Sequence, residues 1–151
     1  MRPLSRRAAL VFGAGGAALT VLGWNPAAFA AAKEAAEEIA KFTGGKDAEK
    51  AKISIELPEI AENGNTVPLS VTVDTPMTAD NYVSDILVIA DGNPNPGVAH
   101  FQFSPLSGKA EASTRIRLAA TQNIIVVAKT STGQLYTGQK QVKVTIGGCG
   151  G

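Results

Sequence analysis

The stretch Val67-Pro68-Leu69-Ser70-Val71-Thr72-Val73-Asp74 places an apolar side chain at every second position, with Ser70, Thr72 and Asp74 between them. Side chains of a strand alternate between its two faces, so Val67, Leu69, Val71 and Val73 share one face and predict a half-buried β-strand. The same pattern continues on both sides of it. Ile53, Ile55 and Leu57 alternate upstream. Downstream, Ile86 to Ala90 is a continuous apolar run, as expected of a strand covered on both faces. Ala99, Phe101 and Phe103 alternate next, and Ala112, Thr114, Ile116 and Leu118 then oppose Glu111, Ser113, Arg115 and Arg117. Ile124 to Ala128 gives another strand. A last one begins at Tyr136 and sets Val142, Val144 and Ile146 on one face. Turn formers separate these runs at Asp91-Gly92-Asn93-Pro94-Asn95-Pro96-Gly97, at Pro105 to Gly108 and at Thr130 to Gly133. Roughly seven short strands joined by turns predict an all-β fold, an immunoglobulin-like antiparallel β-sandwich over residues 51–146.

Two segments precede the sandwich. Ala31 to Phe42 is rich in Ala, Glu and Lys, with Ala32, Ala35, Ala36, Ile39 and Phe42 at spacings of three and four. This predicts a short amphipathic helix ended by Gly44 and Gly45, so that residues 31–50 form a helix and linker. Residues 1–30 read as an export signal. Arg2, Arg6 and Arg7 come first, then an apolar stretch from Ala8 to Leu22 that is short and glycine-rich for a membrane span, and then a small-x-small cleavage site at Ala28-Phe29-Ala30. Ser5-Arg6-Arg7 with Leu10 resembles a twin-arginine signal, although Ala9 stands where an aromatic or leucine is more usual. A general-secretory signal with two coincidental arginines is the alternative. Either route delivers the mature protein to a periplasm, in soluble form.

The bulk numbers exclude several classes. The 151 residues suit a single domain behind a signal. Residues 1–30 hold three of the 14 basic residues and none of the 13 acidic ones, so the remainder carries 11 against 13 and has no basic excess for nucleic acid. One cysteine forbids an internal disulfide. With a single histidine beside it, neither a four-cysteine nor a mixed cysteine and histidine zinc site can be built, so no metal is expected.

That cysteine lies in the tail Gly147-Gly148-Cys149-Gly150-Gly151. Glycine packs poorly and visits both signs of φ, so residues 147–151 predict a flexible arm with Cys149 near its tip. Fully extended, five residues reach about 17 Å. A thiol becomes a strong nucleophile where a helix N-terminus or a cation stabilises its thiolate, whereas here the terminal carboxylate of Gly151 lies two residues away and raises the thiol pKa. Cys149 is therefore expected to be an attachment point activated by partner enzymes and not a catalyst itself. A disordered tail with an incidental cysteine is the bland alternative.

The remaining candidates carry less. His100 alternates with Phe101 on a polar face and reads as a surface or interface residue. A flexible tail would make a poor cysteine–histidine pair, because catalysis needs reacting groups held in place. Arg115 and Arg117 share a face that is solvated or forms an interface. Glu34, Glu37 and Glu38 belong to the helix surface and show no paired acid/base arrangement. The helix and the strand from Val83 to Ala90 are the candidate partner surfaces.

The terminal GGCGG preceded by VKVTI, PEIAENGNTVP at 58–68, ADGNPNP at 90–96 and PLSGKAEASTRIRLAATQN at 105–123 closely resemble the SoxY family, sulfur-compound carriers of the thiosulfate-oxidising Sox pathway. The resemblance implies a carrier without cofactor or enzymatic activity. Cys149 would be the covalent attachment site, and Gly147, Gly148, Gly150 and Gly151 the swinging arm. It further implies a heterodimer with SoxZ, and transient docking with the SoxAX haem enzyme, the SoxB hydrolase and a sulfane dehydrogenase. An exposed thiol in an oxidising compartment also predicts reducible dimers through Cys149. Two rivals stay open on the residues alone: a structural immunoglobulin-like module crosslinked through Cys149, and an enzyme using Cys149 as a peroxidatic or transferase nucleophile.

Overall fold

The structure, a computed structural model, describes residues 26–148. The expected signal lies for the most part outside the described residues, as do Cys149, Gly150 and Gly151.

The helix α1 runs over Pro26–Thr43, starting upstream of the expected boundary, because Pro26 is preorganised for a first helical turn and the alanines after it are strong helix formers. It stops where expected. Gly44 and Gly45 both take positive φ, 65° and 76°, and the Gly45 amide donates to the Ala40 carbonyl at 3.0 Å, the six-to-one bond of a Schellman cap. The packed stripe is Ala31 and Ala35, continued by the half-buried Glu38, Ile39 and Phe42, whereas Ala32 and Ala36 face solvent.

Eight strands follow: β1 (Ile53–Glu56), β2 (Ile60–Ala61), β3 (Val67–Val73), β4 (Val83–Ala90), β5 (Gly97–Gln102), β6 (Ala110–Ile116), β7 (Gln122–Thr130) and β8 (Leu135–Val144). They form a three-stranded sheet in the order β1-β3-β6 and a five-stranded sheet in the order β2-β8-β7-β4-β5. The mostly-β, two-sheet, one-helix architecture is as the alternation predicted. All pairs are antiparallel except β2 with β8, which run parallel with Ile60 opposite Lys143 and Ala61 opposite Val144. This correction to a wholly antiparallel sandwich turns on a two-residue strand too short to show any period.

The core lies between the sheets. Leu69, Val71 and Ile116 come from one side, and Ile86, Val88, Ile124, Val126 and Val142 from the other, all buried. On β6, Glu111, Ser113 and Arg115 are exposed as predicted. The apolar run of β4 is buried on both faces: Ile86, Val88 and Ala90 enter the core, while the fully buried Ile89 lies outside that cluster, on the opposite face of the strand. Burying such a side chain contributes about 1.5–3 kcal/mol. β4 is paired on both edges, by β5 and β7, so it offers a partner no free edge.

Candidate functional site: the root of the C-terminal tail

Strand register brings four connections to one end of the sandwich. Val67 opposite Ile116, Ala90 opposite Ile124, and Gln122 opposite Val142 place the starts of β3 and β7 beside the ends of β4, β6 and β8. The segments that meet there are the β2–β3 loop with Gly64, the β4–β5 turn with Asn93, the β6–β7 loop from Arg117 to Thr121, and the chain leaving β8 toward Cys149.

The tail root is joined to its neighbours backbone to backbone. The Gly64 amide donates to the Ile146 carbonyl at 2.8 Å, the Leu118 amide to the Gly64 carbonyl at 2.8 Å, and the Gly148 amide to the Leu118 carbonyl at 2.9 Å. Three chain segments thus form one hydrogen-bond relay. The approach is so close that glycine is required for space. A Cβ on Gly147 would overlap the Ala119 carbonyl oxygen, and one on Gly64 would overlap the Leu118 carbonyl oxygen. On Gly148 it would sit 3.0 Å from the Gly64 carbonyl carbon. Thr121 ties the end of β8 from the side: its Oγ1 accepts from the Val144 amide at 2.9 Å.

Behind the root, buried carboxamides brace the β6–β7 loop. Asn93 has no exposed surface. Its Nδ2 donates to the Arg117 carbonyl at 2.8 Å, and its Oδ1 accepts from the Ala119 amide at 3.0 Å and from Gln122 Nε2 at 2.8 Å. Gln122 Oε1 accepts from the Gly92 amide at 2.7 Å. The Asp91 carboxylate accepts from the backbone amide of Asn123 at 2.9 Å and from its Nδ2 at 2.8 Å.

The predicted site residues therefore divide. Gly147 and Gly148, expected in the arm, are seated against the domain in this structure, and Cys149, Gly150 and Gly151 lie outside the described residues. Ile146, expected to continue the buried face of β8, is 68 % exposed because the strand ends at Val144 and the chain turns into the seat. His100 stands apart, with Nε2 3.1 Å from Asp85 Oδ1 and its ring edge-on to Phe42 at 5.9 Å. Arg115, on the exposed face of β6, and Arg117, in the loop after it, are both exposed, and no side-chain contact ties either to the seat among the described residues. Glu34 and Glu37 lie on the exposed helix face, while Glu38 abuts Gly97. Among the described residues no group of three or more His, Cys, Asp or Glu could hold a metal, and no helix is long and apolar enough to cross a membrane.

The family described as "Sulfur oxidation protein SoxY" matches residues 39–149, a span that includes the seat and ends on Cys149. The chain belongs to the SoxY family. Among solved structures, the sulfur carrier protein SoxY from Chlorobium limicola f thiosulfatophilum is 37% identical, with 76% of this chain and 99% of that one covered at a TM-score of 0.62. A superoxide reductase (neelaredoxin) variant from Ignicoccus hospitalis is 20% identical, covering 72% of this chain and 86% of that one at a TM-score of 0.56. A putative superoxide reductase from Thermotoga maritima is 23% identical, covering 64% and 87% at 0.53. These two share the fold alone. No curated protein matches the chain. SoxY membership and the carrier relative support a sulfur-carrier role in sulfur oxidation and a place among the partners of the Sox pathway.

Proposed function

We propose that this protein is a periplasmic carrier that holds thiosulfate-derived sulfur intermediates covalently on Cys149 and presents them to successive Sox enzymes. The observation that carries the reading is the family match, which extends through Cys149, the one cysteine of the chain. The geometry supports it, since β8 delivers the tail to one end of the sandwich and backbone bonds hold the root of the tail there. Joining a thiolate to thiosulfate through a new S–S bond removes two electrons, a step suited to the SoxAX haem enzyme as acceptor. SoxB and a sulfane dehydrogenase would then process the bound group, and SoxZ would be the standing partner. Export through the twin-arginine-type signal of residues 1–30 brings the carrier to them.

Intact mass spectrometry of freshly isolated protein tests this. Thiosulfate-derived or sulfane adducts should map to the last five residues, disappear with reductant, and be absent from Cys149→Ser. The same variant should lose the reducible dimers expected of an exposed thiol. Adducts persisting in Cys149→Ser, or dimers at equal level in it, would overturn the assignment.

A further inference from the structure

We propose that Gly64 and the Leu118–Ala119 segment form a latch that holds the arm at Gly148, and that opening this latch sets how far Cys149 can reach. The proposal rests on the carrier reading and concerns how the same arm is controlled.

The latch is built from backbone. Its two bonds to the tail are Gly64 N–H to the Ile146 carbonyl and Gly148 N–H to the Leu118 carbonyl, bridged by Leu118 N–H to the Gly64 carbonyl. Closed, it leaves one peptide link, about 3.8 Å between α-carbons, from Gly148 to Cys149. Opened, it releases Ile146, Gly147 and Gly148, which add about 10 Å at 3.3–3.6 Å per residue. The Thr145 amide, bonded to the Ala61 carbonyl at 3.0 Å, then becomes the fixed root. A shallow partner site can be served with the latch closed, whereas a deep one must draw it open.

This changes the role of two arm glycines. Gly147 is needed because the Ala119 carbonyl leaves no room for a Cβ, Gly64 is needed for the same reason against the Leu118 carbonyl, and a Cβ on Gly148 would be crowded by Gly64 at 3.0 Å. The latch depends in turn on the brace, because Asn93 bonds both the Arg117 carbonyl and the Ala119 amide and so holds the Leu118 peptide in place between them. Ile146, 68 % exposed beside the latch, gives a docking partner an apolar handle on the released segment.

Hydrogen exchange on the full mature chain, with no Sox partner present, tests the latch separately from the carrier chemistry. The amide of Gly148 should be protected in the wild type. Gly64→Ala and Gly147→Ala should each lower that protection by about tenfold or more while the Val88 and Val126 amides of the central strands keep theirs. A nitroxide on Cys149, the sole cysteine, should become more mobile in the same variants. Gly133→Ala is the stability control: Gly133 sits in a distant turn at φ 85° with open space around it, so strain there should lower global stability and leave Gly148 unchanged. An unprotected Gly148 amide in the wild type, or label mobility equal in all four proteins, would overturn the latch without touching the adduct result. Should Gly64→Ala fail to fold, the wild-type amide and Gly147→Ala still decide.

Discussion

Replacing Asn93 by alanine removes the centre of the brace behind the tail root. Three partners lose a bond: the Arg117 carbonyl, the Ala119 amide and Gln122 Nε2. The last keeps a second acceptor, the Ala120 carbonyl at 3.0 Å. Two backbone groups are thus left without their side-chain partner in a site with no exposed surface at Asn93. At about 1–3 kcal/mol for each unsatisfied buried group, the expected destabilisation is about 2–6 kcal/mol. Urea denaturation followed by circular dichroism should show the midpoint falling with an unchanged slope, and the thermal midpoint should drop by about 4 °C per kcal/mol. Asn95 lies exposed in the same turn, so Asn95→Ala should stay within about 0.5 kcal/mol of wild type. An Asn93→Ala loss below about 1 kcal/mol would mean that water or backbone shifts replace the carboxamide, and that the turn does not brace the root. Such a result would also remove the expected secondary effect, a weakened Gly148 amide in the exchange experiment.

Leu118 has no exposed side-chain surface and supplies both an amide and a carbonyl to the latch, so Leu118→Ala should cost about 2.7–5 kcal/mol by chemical denaturation. A loss of less than about 1.5 kcal/mol would show that its pocket collapses freely. Gly97→Ala tests the helix contact. The added Cβ would meet the carboxylate end of Glu38, which can swing toward solvent, so a loss under about 1 kcal/mol is expected, and a larger one would show Glu38 to be fixed.

Much of the fold was legible because one face of most strands is buried. Val67, Leu69, Val71 and Val73 are all buried, and Ile116 and Leu118 enter the core between exposed arginines, as period two requires. The helix end was legible from Gly44 and Gly45, since only a residue without Cβ takes φ near 65–76° at no cost. Of its expected apolar face Ala35, Ile39 and Phe42 do pack, whereas Ala32 and Ala36 are exposed and Ala31 is buried instead, because a run of small alanines does not distinguish adjacent stripes. Ile146 satisfied the alternation of β8 and is nevertheless exposed, since periodicity does not mark where pairing stops. Asn93, Gln122 and Gly64 were missed as parts of the site. The sequence did carry a signal for Gln122: a polar residue at the inward phase of an apolar strand needs a buried partner. The partner, Asn93, was visible only as a turn former.

The amino-acid order alone determined the strands, the helix stop and the lone thiol at the tail, because each follows from local periodicity, backbone freedom or simple count. It also held the four motifs that mark the family. Only tertiary structure decided that these motifs meet at one end of the sandwich. Packing brings together residues as far apart as Gly64 and Gly148, 84 positions, and no local pattern encodes which loop a carbonyl will face. The same packing sets Gly147 and Gly148 against neighbouring backbone, since whether a glycine supplies freedom or space depends on what a Cβ at its position would meet.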